Sequence, residues 1–437
     1  MLYNKILEKI LLPLGDLLMG TRFIKDLNFW RSVDQLNEKE LDVLQSKNLK
    51  KIIIYAVSNT KYYQHITLKG ENPFSWIQQF PILTKEQLNN KQQLLLTESK
   101  KGLTKISSSG SSGVTSSVYM NNKDISSLRA GMIHWWEWSG YKLGMPLVQT
   151  GITPNRSILK SIKDFFFKTI YINAFAHSQE QLKNLCDQLN GTKKYYLSGY
   201  ASSLNVIAEF AIKNKYSIQL KSVISLGDKL FSHYRENITK AFHCNVFDTY
   251  GSAEGFLVAA QSDLEYLYIL SPQTYIEILD DNNNPVPDGE MGYIVATRLD
   301  GFAMPLIRYK IGDLGIMLPK NKYPKNRKYN FPLLQQIVGR ETDVVKTKSG
   351  KTLVVHSFTG VFEYISEIKQ FKIIQKTLEG IIIEYIPSKS FSLETLKKIT
   401  FELQKYLKDE SFKIEYKEVE NILTTASGKP QIIESYL

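Results

Sequence analysis

Residues 244–255 read Cys-Asn-Val-Phe-Asp-Thr-Tyr-Gly-Ser-Ala-Glu-Gly, an apolar run that passes into a glycine-containing loop. We interpret 246–250 as a strand and the following residues as the loop at its carboxyl end. In an open α/β sheet such loops hold ligands, so Tyr250 can stack on a base while Glu254 holds a cation. Taken alone, however, the segment is better explained as a simple turn with an exposed glutamate.

The segments around this stretch alternate between strand-like and helical patterns. Strands are predicted at 145–151, 222–226 and 246–250, and helices at 125–138, 178–189, 203–214 and 231–242. Two earlier helices are predicted at about 42–50 and 85–90. Such alternation indicates a mixed α/β sheet covered by helices. Short strands and turns between Tyr266 and Met317 predict a β subdomain, with a turn-rich hairpin connection at 279–289.

The tail of the chain has a different pattern. After Gly339 the sequence reads as hairpin, helix, two strands, helix and strand, with the second helix at about 393–407, which indicates a small α+β domain. The predicted fold class is therefore α/β plus α+β, with a large domain at 1–339 and a small, mobile one at 340–437.

The amino-terminal twenty residues place leucines and isoleucines at helical spacing, interrupted by Pro13 and Asp16. The apolar run is too short for a membrane span and does not fit a signal peptide. We expect a helix docked on the large domain, and attachment to a membrane surface stays open as the alternative.

The charge and the cysteine content narrow the function classes. The net charge is +12, but its 55 lysines and arginines are scattered, and the longest basic stretch, 320–328, reads as a solvated loop. Without a basic cluster or recognition motif, no nucleic-acid partner is predicted. Two distant cysteines, Cys186 and Cys244, and six histidines without ligand spacing exclude a disulfide framework and a zinc site. A cytoplasmic location is expected.

The segment 105–118 is a loop of small residues. It contains Ser108, Ser109, Gly110, Ser111, Ser112 and Gly113. Glycines let backbone N–H groups turn toward a phosphate and serine hydroxyls add donors, although the pattern is not a Walker A loop. A flexible linker is the alternative.

Three further polar segments follow. Arg308 and Asp313 flank a tight turn, where arginine suits phosphate oxygens and aspartate suits a ribose diol. The segment from Arg340 to Asp343 lies at the domain junction and can serve as a hinge. Ser-Gly-Lys ends at Lys429 near the carboxyl terminus. The alternatives are a surface ion pair for Arg308 and Asp313 and a solvated side chain for Lys429.

Together the ordered segments resemble the adenylate-forming enzymes, on the branch of phenylacetate-CoA ligase and its relatives in capsular polysaccharide biosynthesis. The segment 196–204, Tyr-Leu-Ser-Gly-Tyr-Ala-Ser-Ser-Leu, looks like the Gly-Tyr-Pro-Ser segment of those relatives. The resemblance covers the chain from about Lys105 onward. It implies an AMP-forming ligase that activates a carboxylic acid with ATP and Mg²⁺ and passes the acyl group to a thiol, amine or sugar.

The resemblance also implies residue roles. The Ser108–Gly113 loop would bind pyrophosphate, with Ser111 or Ser112 near Mg²⁺, and Glu254 would hold the metal. The other nucleotide contacts implied are Gly227, Asp228, Tyr250, Gly251, Ser252, Asp313 and Arg340. Arg308, beside the phosphates, and Lys429, the principal cation, would be catalytic.

The sequence departs from the family at three places. Val114-Thr115 stands where relatives carry Lys-Pro, which predicts weaker pyrophosphate binding, while Ala201 replaces proline and Asp228 replaces glutamate. Two alternatives therefore stay open beside transfer in envelope polysaccharide synthesis. One is an acyl-CoA or aryl-CoA synthetase that uses CoA, and the other is a degenerate nucleotide-binding module.

Overall fold

A computed structural model describes residues 2–107, 116–151, 158–174, 178–340, 344–362, 365–407, 409, 411–422 and 432–437. Three of the predicted functional elements lie outside these residues. They are the loop Ser108–Gly113, the hinge residue Asp343 and the cation Lys429.

The helices alternate with the strands through most of the chain. They are α1 (Leu2–Ile6), α2 (Leu12–Met19), α3 (Phe23–Val33), α4 (Glu38–Asn59), α5 (Pro73–Ile77), α6 (Lys85–Asn90), α7 (Gln92–Leu95), α8 (Asn122–Trp138), α9 (Ile158–Phe167), α10 (Gln179–Leu189), α11 (Ala201–Lys213), α12 (Ser232–Phe242), α13 (Val355–Phe362) and α14 (Leu393–Leu407). A π-helical turn, Leu7–Leu11, joins α1 to α2, and a short 3-10 helix covers Lys320–Lys322.

The strands build one large sheet and several small ones. They are β1 (Thr104–Ser107), β2 (Ser117–Met120), β3 (Leu147–Gly151), β4 (Thr169–Asn173), β5 (Tyr196–Tyr200), β6 (Val223–Leu226), β7 (Val246–Ser252), β8 (Phe256–Ala260), β9 (Leu267–Ile269), β10 (Thr274–Leu279), β11 (Met291–Arg298), β12 (Tyr309–Met317), β13 (Leu333–Arg340), β14 (Val344–Lys346), β15 (Thr352–Val354), β16 (Ile368–Thr377), β17 (Gly380–Pro387), β18 (Lys413–Glu418) and β19 (Ile433–Ser435).

The large sheet has eleven strands in the order β10-β11-β12-β13-β9-β8-β7-β6-β5-β3-β4. Strands β4, β3, β5, β6 and β7 are parallel, and pairing is antiparallel from β7 to β10. Apolar side chains of α10, α11 and α12 pack on the parallel half around Leu197 and Val223. The predicted mixed α/β sheet with covering helices is confirmed, and the carboxyl ends of β5, β6 and β7 lie along one edge.

The carboxyl-terminal residues form a compact α+β unit with a core of its own. The hairpin β14-β15 is followed by α13, and a four-stranded sheet in the order β18-β17-β16-β19 packs against α14. Phe358, Ile373 and Leu403 are buried in this core. The sequence of elements agrees with the prediction as far as β18, and α14 has the predicted bounds, but β19 was not predicted. Arg340 is the last residue of β13 in the large sheet.

Candidate active site

A cleft of about 490 Å³ lies where β6 and β7 end, between the large sheet and the small unit. Such volumes suit a small-molecule ligand. Val355 and Ile432 contribute to its wall from the carboxyl-terminal unit. Among the predicted nucleotide contacts, the cleft brings together Gly227, Asp228, Tyr250, Gly251, Asp313 and Arg340.

Tyr250 and Asp313 form a hydrogen-bonded pair on this cleft. The Tyr250 hydroxyl donates to Oδ2 of Asp313 at 2.7 Å. Asp313 on β12 lies opposite Arg340 on β13 in the sheet register. Burial, and then the negative charge of Asp313, raise the pKa of Tyr250 well above its usual value. The phenol therefore remains a donor, and it orients a carboxylate at the cleft wall.

The turn after β6 is tied to the turn after β5. Gly227 has a φ of +80°, and a Cβ there would lie 2.5 Å from Cε1 of Tyr200, so glycine is required. Asp228 accepts hydrogen bonds from the backbone N–H groups of Ala201 at 2.5 Å and Ser202 at 3.2 Å. A carboxylate at a helix amino terminus satisfies unpaired donors. Asp228 thus caps α11 in addition to lining the cleft.

Glu254 is buried beside the cleft, although it is not among the cleft-lining residues. Its Oε1 accepts a 3.1 Å hydrogen bond from the Tyr309 hydroxyl and another from Ser116. The next residue, Gly255, has a φ of +90°, and a Cβ there would lie 2.2 Å from Cε of Met120. The loop can therefore turn back only with glycine at this position, and it carries Glu254 inward.

The fit to Mg²⁺ rests on this single carboxylate. Within the described ranges, no three His, Cys, Asp or Glu side chains form a group that could hold a metal. Mg²⁺ is usually bound by one or two carboxylates together with substrate phosphates. The residues present therefore fit a metal delivered with a nucleotide. The nearby Ser252 hydroxyl is buried and has no hydrogen-bond partner within the part of the chain that the structure describes.

The structure does not bring Arg308 into the cleft wall. Its guanidinium forms a buried ion pair with Glu277, with Nη2 to Oε1 at 3.0 Å and Nε to Oε2 at 3.1 Å. It also donates to the carbonyl of Phe80 at 3.1 Å. These contacts occupy the side chain inside the protein and join β10 to the residue that precedes β12.

Lys85, the first residue of α6, was not predicted from the sequence, and the charges of Glu254 and Asp313 act on it. Leu83 pairs with β12, because its N–H bonds the Arg308 carbonyl at 2.9 Å and its carbonyl accepts from Lys310 at 3.0 Å. Burial, the largest effect, lowers the pKa of Lys85, while the charges of Glu254 and Asp313 act in the opposite direction. Lys85 therefore shares the electrostatic environment of both predicted ligands.

A second group that sequence reasoning missed lies at the other end of the cleft. Asp248 lines it, and burial raises the pKa of this carboxyl to about 7, with Arg235 opposing the shift. Arg235 itself donates to the Val246 carbonyl at 2.5 Å and to Oε1 of Gln261 at 2.6 Å. No sequence spacing links Arg235 to Asp248, since α12 and β7 meet only on folding.

Known proteins resemble this chain along most of its length. Residues 345–435 match the family described as the CapK C-terminal domain. Protein CapK of Staphylococcus aureus is 25% identical over 435 residues, covering 95% of this chain and 93% of the relative. Phenylacetate-coenzyme A ligase of Pseudomonas putida is 30% identical over 161 residues, which cover 36% of this chain and 34% of that protein.

A solved structure shows the same fold. A 2-hydroxyisobutyryl-CoA ligase in its postadenylation state has a TM-score of 0.72 at 16% identity, covering 93% of this chain and 91% of that one. In its thioesterification state the same ligase gives a TM-score of 0.59 at 18% identity, covering 93% and 92%. Fold, small-domain family and full-length relative agree with the motifs. The chain therefore carries a CapK C-terminal domain, is homologous to protein CapK over nearly its full length, and has the fold of the adenylate-forming CoA ligases.

Proposed function

We propose that this chain is an AMP-forming carboxylate ligase. It would activate a carboxylic acid as an acyl-adenylate and transfer the acyl group to an acceptor. The observation that carries the proposal is the Tyr250–Asp313 pair at 2.7 Å, beside Arg340, in a cleft that Ile432 of the small unit helps to close. A polar cleft at the carboxyl ends of strands is where α/β folds hold nucleotides.

The proposed contacts define the orientation of the nucleotide in the cleft. Asp313 accepts hydrogen bonds from the ribose hydroxyls, and Tyr250 and Gly251 contact the adenine and the acyl group. Gly227 and Asp228 bound the adenine side. The phosphate contacts proposed from the resemblance are the Ser108–Gly113 loop and Ser252.

Lys85 would supply the cation that the phosphate loop lacks. The loop has Val114-Thr115 where relatives carry Lys-Pro. Lys85 is influenced by both Glu254 and Asp313, the residues proposed for the metal and the ribose. A lysine close enough to be affected by both carboxylates can contact a phosphate bound beside them and offset the missing loop charge.

Glu254 would hold Mg²⁺ carried by the triphosphate. When bound, this ion neutralises charge on the phosphates. Ser116 and Tyr309 both donate to Glu254 Oε1, which fixes the orientation of the carboxylate. The protein thus contributes one fixed oxygen ligand rather than a complete cage.

Adenylation brings two anions together, the carboxylate of the acid and the triphosphate of ATP. A carboxylate oxygen attacks the α-phosphorus, the bond to the bridging oxygen breaks, and pyrophosphate leaves with that electron pair. Lys429 would neutralise the developing charge, as cations aimed at a transition state do. Lys429 stands three residues before Ile432, a cleft-lining residue, which supports its approach from the small unit. Arg340 and Asp343 would then let that unit rotate before acyl transfer.

The acceptor is proposed from the relatives. Similarity to CapK over 95% of the chain favours an amine or hydroxyl on a sugar, or a carrier thiol, in envelope or capsular polysaccharide synthesis. The match to phenylacetate-coenzyme A ligase, 30% identical over 161 residues, favours CoA as the alternative acceptor. The TM-score is 0.72 to the ligase in its postadenylation state and 0.59 to the same ligase in its thioesterification state. This difference supports an arrangement of the two lobes that is suited to adenylation.

A hydroxamate-trapping assay tests the activity. The full chain is incubated with ATP, Mg²⁺, hydroxylamine and a panel of aryl, fatty, hydroxy and amino acids, and the panel is repeated with CoA in place of hydroxylamine. We expect one acid class to give hydroxamate and AMP. CoA-dependent thioester formation would select the alternative acceptor. ATP binding without any acid-dependent AMP or pyrophosphate release would overturn the ligase proposal.

A further inference from the structure

The amino-terminal helical segment exposes an apolar stripe. Its outward members are Leu2, Ile6, Ile10, Leu14, Leu17 and Leu18, and Leu11 and Met19 beside them are also exposed. From Leu2 to Leu17 the outward members lie three or four residues apart, and Leu18 lies four residues after Leu14, the spacing of one helical face. The exposed fractions of Leu2, Leu17 and Leu18 are 73%, 79% and 85%, whereas Leu7 on the inner side is buried. The segment therefore buries some apolar residues, such as Leu7, against the protein and leaves the opposite face exposed to water.

Helix α9 extends this stripe from a distant part of the chain. Phe165 is 78% exposed and Phe166 40% exposed at its carboxyl end. The Tyr3 hydroxyl donates to the Phe166 carbonyl at 2.5 Å, so α1 begins beside these rings. We call the six stripe residues together with Phe165 and Phe166 the N-terminal apolar patch. A contiguous exposed patch of large apolar residues marks an interaction surface.

Lysines flank the N-terminal apolar patch. Lys5 and Lys9 are exposed on the helical segment itself. Lys168, directly after α9, is exposed and places its Nζ 4.1 Å from the centre of the Tyr3 ring. Cations on long apolar stems beside an apolar face are typical of helices that lie in the headgroup region of a bilayer.

The acidic residues of the same helices are turned toward the protein. Glu8 accepts from Arg31 at 3.0 Å, and Asp16 accepts from the backbone N–H groups of Phe23 and Ile24 at 2.9 Å. Asp164 on α9 is buried. Glu8 and Asp16 are thus hydrogen-bonded to the protein and Asp164 is withdrawn from solvent, whereas Lys5, Lys9 and Lys168 are exposed around the patch.

We infer that the N-terminal apolar patch docks this protein on the surface of an anionic lipid bilayer. Leucine and phenylalanine side chains enter the acyl boundary, and Lys5, Lys9 and Lys168 meet anionic headgroups. The contact is interfacial, since no helix in the described ranges is both long and apolar enough to cross a bilayer.

The lysines around the N-terminal apolar patch favour a lipid surface over a second copy of the chain as the partner of the patch. A two-fold interface built on this patch would bring Lys5, Lys9 and Lys168 close to the same residues of the other copy. Like charges placed together across an interface oppose association. Anionic headgroups instead neutralise these cations, so the apolar area and the charge favour the same partner.

The patch lies away from the mouth of the cleft. Tyr3 and Leu7 contact Gly144, just before the amino end of β3, and Lys168 immediately precedes the amino end of β4. The cleft lies beyond the carboxyl ends of the parallel strands. Docking through the patch therefore leaves the proposed nucleotide site open to the aqueous side.

Co-sedimentation of the full chain with vesicles tests the inference. Vesicles of phosphatidylcholine alone are compared with equal parts of phosphatidylcholine and phosphatidylglycerol. The test variant is Leu17→Glu/Leu18→Glu. A matched control, Val43→Glu/Leu393→Glu, places the same two charges at exposed apolar positions outside the patch. A third variant, Lys5→Gln/Lys9→Gln, removes cations without touching the apolar face. Thermal melting verifies that each variant folds.

Wild type and control are expected to bind the phosphatidylglycerol vesicles, and Leu17→Glu/Leu18→Glu to bind about tenfold or more weakly. Lys5→Gln/Lys9→Gln should bind about fivefold or more weakly and with less dependence on salt. Equal loss in the control, equal binding to both vesicle types, or no vesicle binding by wild type would overturn the inference. So would a dimer in gel filtration that only Leu17→Glu/Leu18→Glu dissociates, because the patch would then serve self-association.

Discussion

The Tyr250 hydroxyl and Oδ2 of Asp313 lie 2.7 Å apart and join β7 to β12 across the cleft wall. Burial raises the pKa of Tyr250, so the phenol stays protonated and donates. One carboxylate oxygen of Asp313 is thereby fixed by the protein. A ribose diol would meet a carboxylate whose direction is already set, which lowers the entropy lost on binding.

Replacement of Asp313 tests the ribose site. Asp313→Ala should raise the Kd for ATP about 10- to 100-fold, because hydrogen bonds to a charged group are lost. Tyr250→Phe keeps the ring and should raise Kd by less, about two- to tenfold. Isothermal titration measures both, and Asp263→Ala, outside the cleft lining, is the control. An Asp313→Ala protein that is folded and binds ATP like wild type would remove the ribose assignment.

Lys85 is expected to act on the phosphates. Lys85→Gln should lower the adenylation rate or ATP affinity about tenfold, whereas Lys91→Gln, at the exposed end of α6, should have no effect. Burial lowers the pKa of Lys85. Because the charged form is the active one, wild-type activity should decline at a lower pH than an ordinary lysine allows. In Lys85→Arg that decline should move to higher pH, and an unmoved pH profile would contradict the role.

Arg308 is expected to stabilise the fold through Glu277. Arg308→Met leaves a buried carboxylate without its partner and should lower the free energy of unfolding by about 3–5 kcal/mol. Arg308→Met/Glu277→Leu should recover part of that loss, as urea denaturation can measure. Folded Arg308→Met should retain wild-type ATP affinity. A large loss of affinity with intact stability would instead support the catalytic role that the sequence predicted.

Asp248 should make stability depend on pH. Burial raises its pKa from 3.8 to about 7, so the folded state holds a proton that the unfolded chain has released between those values. The free energy of unfolding therefore falls as pH rises from about 4 to about 7. Because the cleft hydrates part of the carboxyl, we expect Asp248→Asn to be about 1–2 kcal/mol more stable at pH 8 than wild type. Identical pH slopes for both proteins would contradict this.

Local patterns in the sequence predicted the elements well. The predicted bounds of α6 and α14 agree with the structure, because apolar periodicity and a helix cap are properties of neighbouring residues. Thr84 and Gln87 form a capping box that starts α6. The loop after β7 was likewise recognisable, since a strand that ends in glycines is a short-range signal.

Contacts between distant segments were beyond such patterns. Lys85 is brought close to β12, the strand that contains Asp313, because Leu83 pairs with that strand. Arg308 forms a buried ion pair with Glu277 of β10. The positions of the two residues in the sequence do not indicate that they pair. The sequence identified chemically suitable side chains. Which residue each of them contacts depends on the register of the sheet, which local patterns do not determine.

Pyrophosphate exchange in Lys429→Ala tests the central claim most directly, using the acid that the hydroxamate panel selects. Lys417→Ala, an exposed lysine of the same unit, is the control. The proposed mechanism predicts that Lys429→Ala loses acid-dependent exchange by about 100-fold or more while its Kd for ATP stays within about threefold. Exchange at the wild-type rate in Lys429→Ala would contradict the claim that a lysine from the small unit enters the cleft for adenylation.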